Sequence, residues 1–386
     1  MVRRMKKICF VTTVSITLKS FVVETAKYLH EKCGYDITLI CDNDEEFASS
    51  LPEYIHYIPV PMSRGIDISG FASVLKFYKV FRKEKFDLVQ YSTPNAACYA
   101  SIASFLARVP IRLYAQWGIR YIGLSGLSRR IFKTIERMVC TLSTHIRAQS
   151  PKNMKFAIDE KLCKPEKISV VGIGGTIGVD LKECTSFDSS EVNKELRKKY
   201  KIPEDAFLYG YVGRINTDKG VNELVEAFKK LVTQKDAYLV LVGKLDDYNP
   251  ITQENIEYVQ ENNRIILTGN VPRTDVYRHM AMFDCLVHPT YREGFGKVIQ
   301  EAMGMKLPVI TTNIPGPSEV IENNISGILC EVKNADDLAE KMIFLYENDD
   351  VRNSYAQAGL ERAIKYFDRP IMLHNILIDM KNIIEK

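Results

Sequence analysis

The stretch Tyr291-Arg-Glu-Gly-Phe-Gly-Lys-Val-Ile-Gln-Glu-Ala-Met303 follows an apolar run that ends in His288-Pro289-Thr290. The pattern predicts a buried strand, a glycine turn and then a helix. Gly294 and Gly296 allow the backbone to approach a ligand closely, and the free amides at a helix start favour an anion. Glu293 and Glu301 are eight residues apart, so two carboxylates could hold two sets of hydroxyls along one ligand. An ordinary solvated helix also fits this spacing.

The same strand-to-helix alternation continues in both directions along the chain. Predicted strands are Lys7–Val14, Asp36–Cys41, Ile55–Val60, Leu88–Tyr91, Arg112–Gln116, His145–Gln149, Ile168–Val171, Leu208–Val212, Tyr238–Val242, Ile265–Leu267, Cys285–His288, Val309–Thr312 and Gly327–Cys330. Helical stretches include Phe21–Cys33, Phe71–Glu84, Ala96–Ala107 and Ser128–Leu142. Continuous apolar strands joined through helices indicate doubly wound α/β folds with parallel sheets.

The length of 386 residues predicts two domains. We place the first in residues 1–181, with the C-terminal helix 370–386 completing it. The polar segment 182–201 is predicted to be an interdomain connection, and residues 202–369 to be the second domain. Two such halves facing each other would form a cleft at the carboxyl ends of both sheets.

Two further strand-to-helix turns lie in the second half. In Tyr211-Val-Gly-Arg-Ile-Asn-Thr-Asp-Lys-Gly220, Gly213 turns the chain, and Arg214 and Lys219 could neutralise a diphosphate. A surface loop with incidental cations is the alternative. In Asn313-Ile-Pro-Gly-Pro-Ser-Glu-Val320, Ser318 and Glu319 could cap the next helix or bind a ligand.

The composition and charge of the chain exclude several classes of protein. Hydrophobic residues make up 46% and charged residues 26%, which excludes a disordered or fibrous chain. The net charge of +4 divides into +10 for residues 1–180 (26 Lys and Arg, 16 Asp and Glu) and −6 for the rest (26 and 32). Nine cysteines without close spacing indicate a reduced, cytoplasmic protein. The six histidines show no metal-ligand grouping, and Asp246-Asp247 lacks the Asp-x-Asp spacing of metal-dependent sugar-nucleotide enzymes, so we expect no metal. No nucleic-acid-binding motif is present, so we expect no nucleic-acid partner.

The three turns, occurring in order in one half, resemble the GT-B glycosyltransferases, specifically the large retaining family 4 group. Within it the likeness is to capsular-polysaccharide and lipid-linked-oligosaccharide transferases. The resemblance implies that Glu293 contacts the hydroxyls of the donor sugar and that Glu301 holds the ribose. It implies that Arg214 and Lys219 stabilise the departing diphosphate. The implied donor-binding residues are Gly213, Gly294, Phe295, Gly296, Lys297 and Glu301, with backbone amides of 294–297 meeting the phosphates.

Two departures from the family pattern fall in the first half. The glycine pair that usually follows the first strand is replaced by Val14-Ser-Ile-Thr-Leu18. The usual His-Gly pair is replaced by Trp117-Gly118. The resemblance implies that Ser15, Trp117 and Gly118 lie in the vicinity of the acceptor or the sugar. Trp117 is either a core residue or a wall beside the sugar or acceptor.

The resemblance and the residues together predict an enzyme that moves a hexose or N-acetylhexosamine from a UDP-sugar. The expected acceptor is a polyprenyl-diphosphate-linked or other saccharide in surface polysaccharide synthesis. A non-catalytic nucleotide-sugar-binding scaffold and a nucleotide-sugar epimerase of the same fold are the alternatives. Basic and apolar residues at helical spacing in 77–85 and 128–139 suit peripheral contact with anionic membrane at the inner face of the cell membrane. Solvated faces of core helices would give the same pattern.

Overall fold

The structure, a computed structural model, describes residues 4–62 and 69–385. It divides into two compact units. The first unit contains the described residues up to Ile177 and those from Pro370 onward, and the second contains Gly178–Arg369. The boundary thus lies four residues before the predicted one. Residues 1–3, 63–68 and 386, which the predicted boundaries include, lie outside the described residues.

The first unit contains a parallel sheet that has seven strands within the described residues, in the order β3-β2-β1-β4-β5-β6-β7. Its strands are β1 Lys7–Val11, β2 Asp36–Cys41, β3 Ile55–Pro59, β4 Leu88–Tyr91, β5 Ile111–Gln116, β6 His145–Ala148 and β7 Ile168–Val170. Its helices are α1 Ser15–Phe21, α2 Val23–Cys33, α3 Glu45–Ser49, α4 Ser69–Glu84, α5 Pro94–Leu106, α6 Gly126–Leu142 and α7 Pro151–Asp159. All the pairings are parallel, which confirms the predicted α/β class.

The central strands β1, β2, β4 and β5 of this sheet are largely buried because helices cover both faces. Phe77 and Phe81 of α4 pack with the small residues of α5 in one core cluster. Leu18 and Leu29, from α1 and α2, lie in the other cluster. Residues from the C-terminal end of the chain, including Met380, also belong to that second cluster. The last helix is therefore part of the core of the first unit.

The second unit contains a parallel sheet of six described strands in the order β10-β9-β8-β11-β12-β13. Its strands are β8 Phe207–Val212, β9 Ala237–Val242, β10 Ile265–Gly269, β11 Cys285–His288, β12 Val309–Thr312 and β13 Ile328–Cys330. The remaining helices are α8 Leu181–Cys184, α9 Ser189–Tyr200, α10 Val221–Leu231, α11 Gln253–Glu261, α12 Arg273–Met280, α13 Lys297–Gly304, α14 Pro317–Val320, α15 Ala335–Glu347, α16 Asp349–Arg362 and α17 Arg369–Ile384. The last of these runs back into the first unit.

The predicted connection 182–201 is instead part of the second unit, where it forms most of α8 and the whole of α9. Val192 and Leu196 of α9 are buried, and the buried Arg197 donates to the backbone carbonyls of Pro203 and Ala206. Most residues of this helix are charged or polar, and its buried apolar residues are few. The sequence of the segment is therefore similar to that of a linker.

Candidate functional site

The predicted site loops follow three adjacent strands of the second unit. β8, β11 and β12 are neighbours in the sheet, although β8 and β11 are not consecutive in the chain. The strand order reverses between β8 and β11. In doubly wound sheets ligands bind outside the carboxyl ends of the strands at this kind of reversal. The loops after β8 and β11 therefore begin at the position where the topology favours a ligand, and the loop after β12 begins one strand further along the sheet.

The loop after β8 and the loop after β11 are held tightly together, and we call this contact the loop clamp. The amide of Tyr291 donates to the carbonyl of Asp218 at 2.9 Å, and Arg292 forms an ion pair with the Asp218 carboxylate. Gly220 has a φ of +70°, and a Cβ there would lie 1.8 Å from the carbonyl oxygen of Pro289. Only glycine permits this approach, so the clamp depends on Gly220.

Lys219 and Glu293, predicted from separate motifs, form a salt bridge across the clamp. Their side chains are 19% and 26% exposed. Burial raises the pKa of Glu293, but the adjacent Lys219 ammonium and His288 outweigh burial and hold that pKa well below its usual value. Glu293 is therefore ionised, and its other oxygen, Oε1, accepts from the amide of Gly294 at 3.2 Å.

Arg214 lies on the same loop but contacts a different carboxylate. Its Nη1 donates to Oδ2 of Asp246 at 2.9 Å, and Asn216 donates to the same oxygen at 2.9 Å. The hydrogen bond from Asn216 is the largest cause that lowers the pKa of Asp246, and Arg214 adds to it. The Arg214 side chain is 70% exposed, so this ion pair can exchange with an incoming anion.

Glu301 lies in a buried charged cluster on α13. Its Oε1 accepts from the Tyr277 hydroxyl at 3.1 Å and lies 3.5 Å from Arg273 and 3.8 Å from Lys297. Burial raises the pKa of Glu301, and burial also lowers the pKa of Lys297 to about 8. Tyr277 and Arg273 come from α12, and neither residue belongs to a sequence motif that would have predicted this contact.

In the turn before α13, two of the three residues are the glycines Gly294 and Gly296, and the only side chain, that of Phe295, is buried. Gly296 precedes the helix with a φ of +77°. The Phe295 ring is buried edge-on against Phe367, with ring centroids 5.8 Å apart. The predicted donor contact at Phe295 is thus restricted to its backbone.

The third loop, which follows β12, packs closely against the turn before α13. A Cβ on Gly316 would lie 2.5 Å from the carbonyl oxygen of Gly294. The Glu319 carboxylate accepts from the amide of Gly316 at 3.0 Å, and the Ser318 hydroxyl donates to the carbonyl of Ile314 at 2.7 Å. Glu319 therefore caps the start of α14, which is one of the two roles left open by sequence, whereas the Ser318 hydroxyl donates to a backbone carbonyl of the preceding loop.

His288, at the end of β11, is a buried residue and one of the six histidines that show no metal-ligand grouping in the sequence. Its side chain is 3% exposed, and Nε2 lies 3.7 Å from Oε2 of Glu293. Its ring stacks on Tyr211 with centroids 6.1 Å apart. Within residues 4–62 and 69–385, neither ring nitrogen has a hydrogen-bond partner. The position directly before Pro289-Thr290 and the glycine turn is the signal that could have drawn attention to it.

The predicted residues of the first unit lie after β1 and β5. The Ser15 hydroxyl donates to Asp44 at 2.5 Å, at the start of α1. Trp117 is half-buried, tilted against Phe21 with centroids 5.3 Å apart, and Gly118 is exposed. Trp117 therefore presents part of its ring to solvent at the carboxyl edge of the sheet.

Comparison with known proteins identifies the class. Residues 192–362 match the family model described as glycosyl transferases group 1, and residues 7–150 match the model described as glycosyl transferase 4-like. The Staphylococcus aureus capsular polysaccharide biosynthesis glycosyltransferase CapM is 31% identical over 90% of this chain and 89% of its own length. The Escherichia coli UDP-Gal:α-D-GlcNAc-diphosphoundecaprenol α-1,3-galactosyltransferase is 25% identical over the same shares.

A solved structure agrees with this class at the level of the fold. The Anabaena protein HepE, crystallised in complex with UDP, matches with a TM-score of 0.78 and 20% identity over 98% of this chain and all of the other. The fold is therefore the two-domain GT-B α/β fold, as the sequence predicted. The chain belongs to the group 1, family 4-like glycosyltransferases and is a glycosyltransferase enzyme.

Proposed function

We propose that the chain is a retaining glycosyltransferase that moves a hexose or N-acetylhexosamine from a UDP-sugar to a polyprenyl-diphosphate-linked or other saccharide acceptor in surface polysaccharide synthesis. The observation that carries the proposal is the loop clamp. It brings the cation Lys219 to Glu293 at the sheet edge, beside the turn into α13. A nucleoside diphosphate sugar offers a diphosphate for the cations and hydroxyls for the carboxylates.

Donor binding would exchange the ion pairs seen here. Lys219 would leave Glu293 and Arg214 would leave Asp246, and both cations would turn to the diphosphate. Glu293 would then accept from hydroxyls of the sugar, and Glu301 from those of the ribose. As the bond from the sugar carbon to the diphosphate breaks, the two cations neutralise the leaving group without a metal.

Retention of configuration follows from a same-face reaction. The acceptor oxygen bonds to the sugar carbon on the face from which the diphosphate departs. The acceptor proton passes to a phosphate oxygen of the leaving group. Relatives named for UDP-Gal, for a diphosphoundecaprenol acceptor and for capsule synthesis support these substrate classes for this chain.

We further propose peripheral contact with anionic membrane on the first unit. Among the described residues, no helix is long and apolar enough to cross a bilayer. On α4, Phe71 and Leu75 are 79% and 59% exposed. The same helix has four exposed cations that make no ion pair within the described residues: Lys76, Lys79, Arg82 and Lys83. A helix that exposes apolar side chains beside unpaired cations is typical of helices that bind at a membrane interface.

The other basic helix, α6, contributes less charge to this surface than its sequence predicts. Lys133 donates to Glu160 at 2.5 Å, and Arg129 lies 4.0 Å from the same carboxylate. Arg130 and Arg137 remain exposed. The positive charge of α6 is therefore partly neutralised, and α4 is the stronger candidate for the membrane surface.

Liposome co-sedimentation tests the membrane surface. We expect weaker binding to anionic vesicles when four cations of α4 are replaced with serine, since each cation near such a surface contributes about 1 kcal/mol to binding. The four are Lys76, Lys79, Arg82 and Lys83. The charge-matched control replaces four exposed lysines of the second unit: Lys194, Lys198, Lys199 and Lys201. Equal sedimentation of the two variants would exclude α4 as the contact surface.

The enzymatic proposal is tested by incubating the protein with a panel of UDP-sugars and polyprenyl-diphosphate-linked monosaccharides. Mass spectrometry would detect the lengthened acceptor, and proton NMR of the product would report the anomeric configuration. Retention is expected. Inverted product contradicts the mechanism, free epimerised nucleotide sugar indicates an epimerase, and binding without any turnover indicates a scaffold.

A further inference from the structure

The buried imidazole of His288 lacks a hydrogen-bond partner in a position where one is expected. Its side chain is 3% exposed, and both ring nitrogens are buried and unpartnered within the described residues. More than nine in ten buried polar groups in proteins are hydrogen-bonded, so an exception calls for an explanation. The nearest acidic group is Glu293, whose Oε2 lies 3.7 Å from Nε2 of His288. A hydrogen bond needs about 2.9 Å, a closure of about 0.8 Å.

The same oxygen of Glu293 is occupied by Lys219. If Lys219 turns to the diphosphate of a donor, Glu293 loses the cation that compensates for its burial. The loss of an ion pair destabilises a largely buried, ionised carboxylate, so a replacement partner for Oε2 favours the exchange. The charged or titratable groups placed around the imidazole are Glu293, Lys219 and Tyr211, and the Tyr211 hydroxyl already donates to the carbonyl of Arg214 at 2.7 Å.

We propose that His288 is a positioning residue that takes over Glu293 when Lys219 moves to the donor diphosphate. The neutral imidazole donates its Nε2 proton to Oε2, and Glu293 stays ionised and oriented toward the sugar. His288 is held in place by its stacking on Tyr211. The 3.7 Å between Nε2 and Oε2 is short enough for a small movement of either side chain to form this hydrogen bond. This inference rests on the proposed function, because it assigns the Lys219 exchange to a nucleoside diphosphate.

Two substitutions separate the hydrogen bond from the packing of the ring. His288→Leu removes the donor, whereas His288→Gln places an amide nitrogen near the position of Nε2. By calorimetry, His288→Leu should weaken UDP binding about tenfold, because the exchange then leaves the carboxylate without a partner. His288→Gln should stay within about threefold of the parent. In a Glu293→Gln background, His288→Leu should have no further effect. A loss that glutamine does not rescue, or that persists in the Glu293→Gln background, overturns the proposal.

Histidine ¹⁵N NMR gives a test that needs no nucleotide. Lys219→Met removes the competing cation, so His288 should already show an Nε2-protonated, hydrogen-bonded imidazole in the free protein. The parent should acquire the same signature only on adding UDP, and the loss of a signal in His288→Gln assigns it. An unchanged His288 signal in Lys219→Met refutes the inference even if the enzyme transfers sugar. Failure of the parent to bind UDP or to transfer sugar, with the signature present in Lys219→Met, refutes the proposed function alone.

Discussion

Replacing Gly220 with alanine should open the loop clamp. The positive φ of +70° alone costs an alanine about 1–2 kcal/mol. The added Cβ would lie 1.8 Å from the Pro289 carbonyl oxygen, and real contacts of this kind are not shorter than 3.0 Å. The two loops must therefore separate by about 1.2 Å, the difference between these distances. That movement would stretch the bond from the Tyr291 amide to Asp218 and the ion pair of Asp218 with Arg292.

Gly269 provides a matched control in the same unit. Its φ is +71°, nearly that of Gly220, but a Cβ there would meet nothing within 4 Å. Gly269→Ala therefore has only the cost of the positive φ. About 0.4–1 kcal/mol of that cost is offset, because alanine lowers the conformational entropy of the unfolded chain. We expect Gly220→Ala to be less stable than Gly269→Ala by about 2–4 kcal/mol, from the clash and the lost clamp bonds.

Scanning calorimetry of the two variants measures this difference. For a unit of this size, each kcal/mol shifts the melting temperature by about 2–4 °C, so Gly220→Ala should melt roughly 4–16 °C below Gly269→Ala. Gly220→Ala should also bind UDP more weakly, because Lys219 is displaced with the loop. Equal melting temperatures would show that the loops separate without cost, and the reasoning from the 1.8 Å contact would be wrong.

Three further predictions concern the donor site. Glu301→Ala should weaken calorimetric binding of UDP by about tenfold or more, since a charged acceptor contributes about 1.5–3 kcal/mol; unchanged affinity would disprove the ribose assignment. Transfer activity should survive excess EDTA, because Arg214 and Lys219 supply the positive charge; loss of activity with rescue by magnesium or manganese would refute this. UDP affinity should fall between pH 7 and 9 as Lys297, whose pKa burial lowers to about 8, loses its charge, and Lys297→Arg should flatten that profile. The stability of the free protein should rise with pH from about pH 8 to about 10.5, because in this window the unfolded chain keeps the proton that folded Lys297 has lost. A flat affinity profile in the parent would exclude Lys297 from anion binding.

The sequence predicted the central strands well because a parallel sheet that is covered on both faces buries nearly every side chain of these strands. The stretch Ala237–Val242 is one continuous apolar run, and its predicted strand differs by a single residue. Helix boundaries were less well predicted. The segment Phe21–Cys33 was expected as one helix, but the structure starts helical turns at Ser15 and breaks at Val22, whose φ of −126° and ψ of −42° interrupt the helix. No glycine or proline marks that break.

The candidate site was predicted at the level of loops but not of contacts. Strand-end glycines and charges mark Lys219 and Glu293, and the strand order brings them together. The partners of Arg214 and Glu301 come from segments more than twenty residues away, Asp246 and Tyr277, which carry no local signal. Pairing of this kind depends on tertiary packing, which the spacing of residues along one segment does not report.

The return of α17 to the first unit has a consequence for how the protein is synthesised. Ile376, Leu377, Met380 and Ile384 belong to the same core cluster as the first strand. These residues leave the ribosome only after the whole second unit has emerged. The first unit is synthesised first but lacks these side chains of its core cluster until the end of translation, whereas the sequence of the second unit is complete earlier. We expect the second unit to become protease-resistant first during translation, and the start of the chain to acquire its final stability only when the last helix docks.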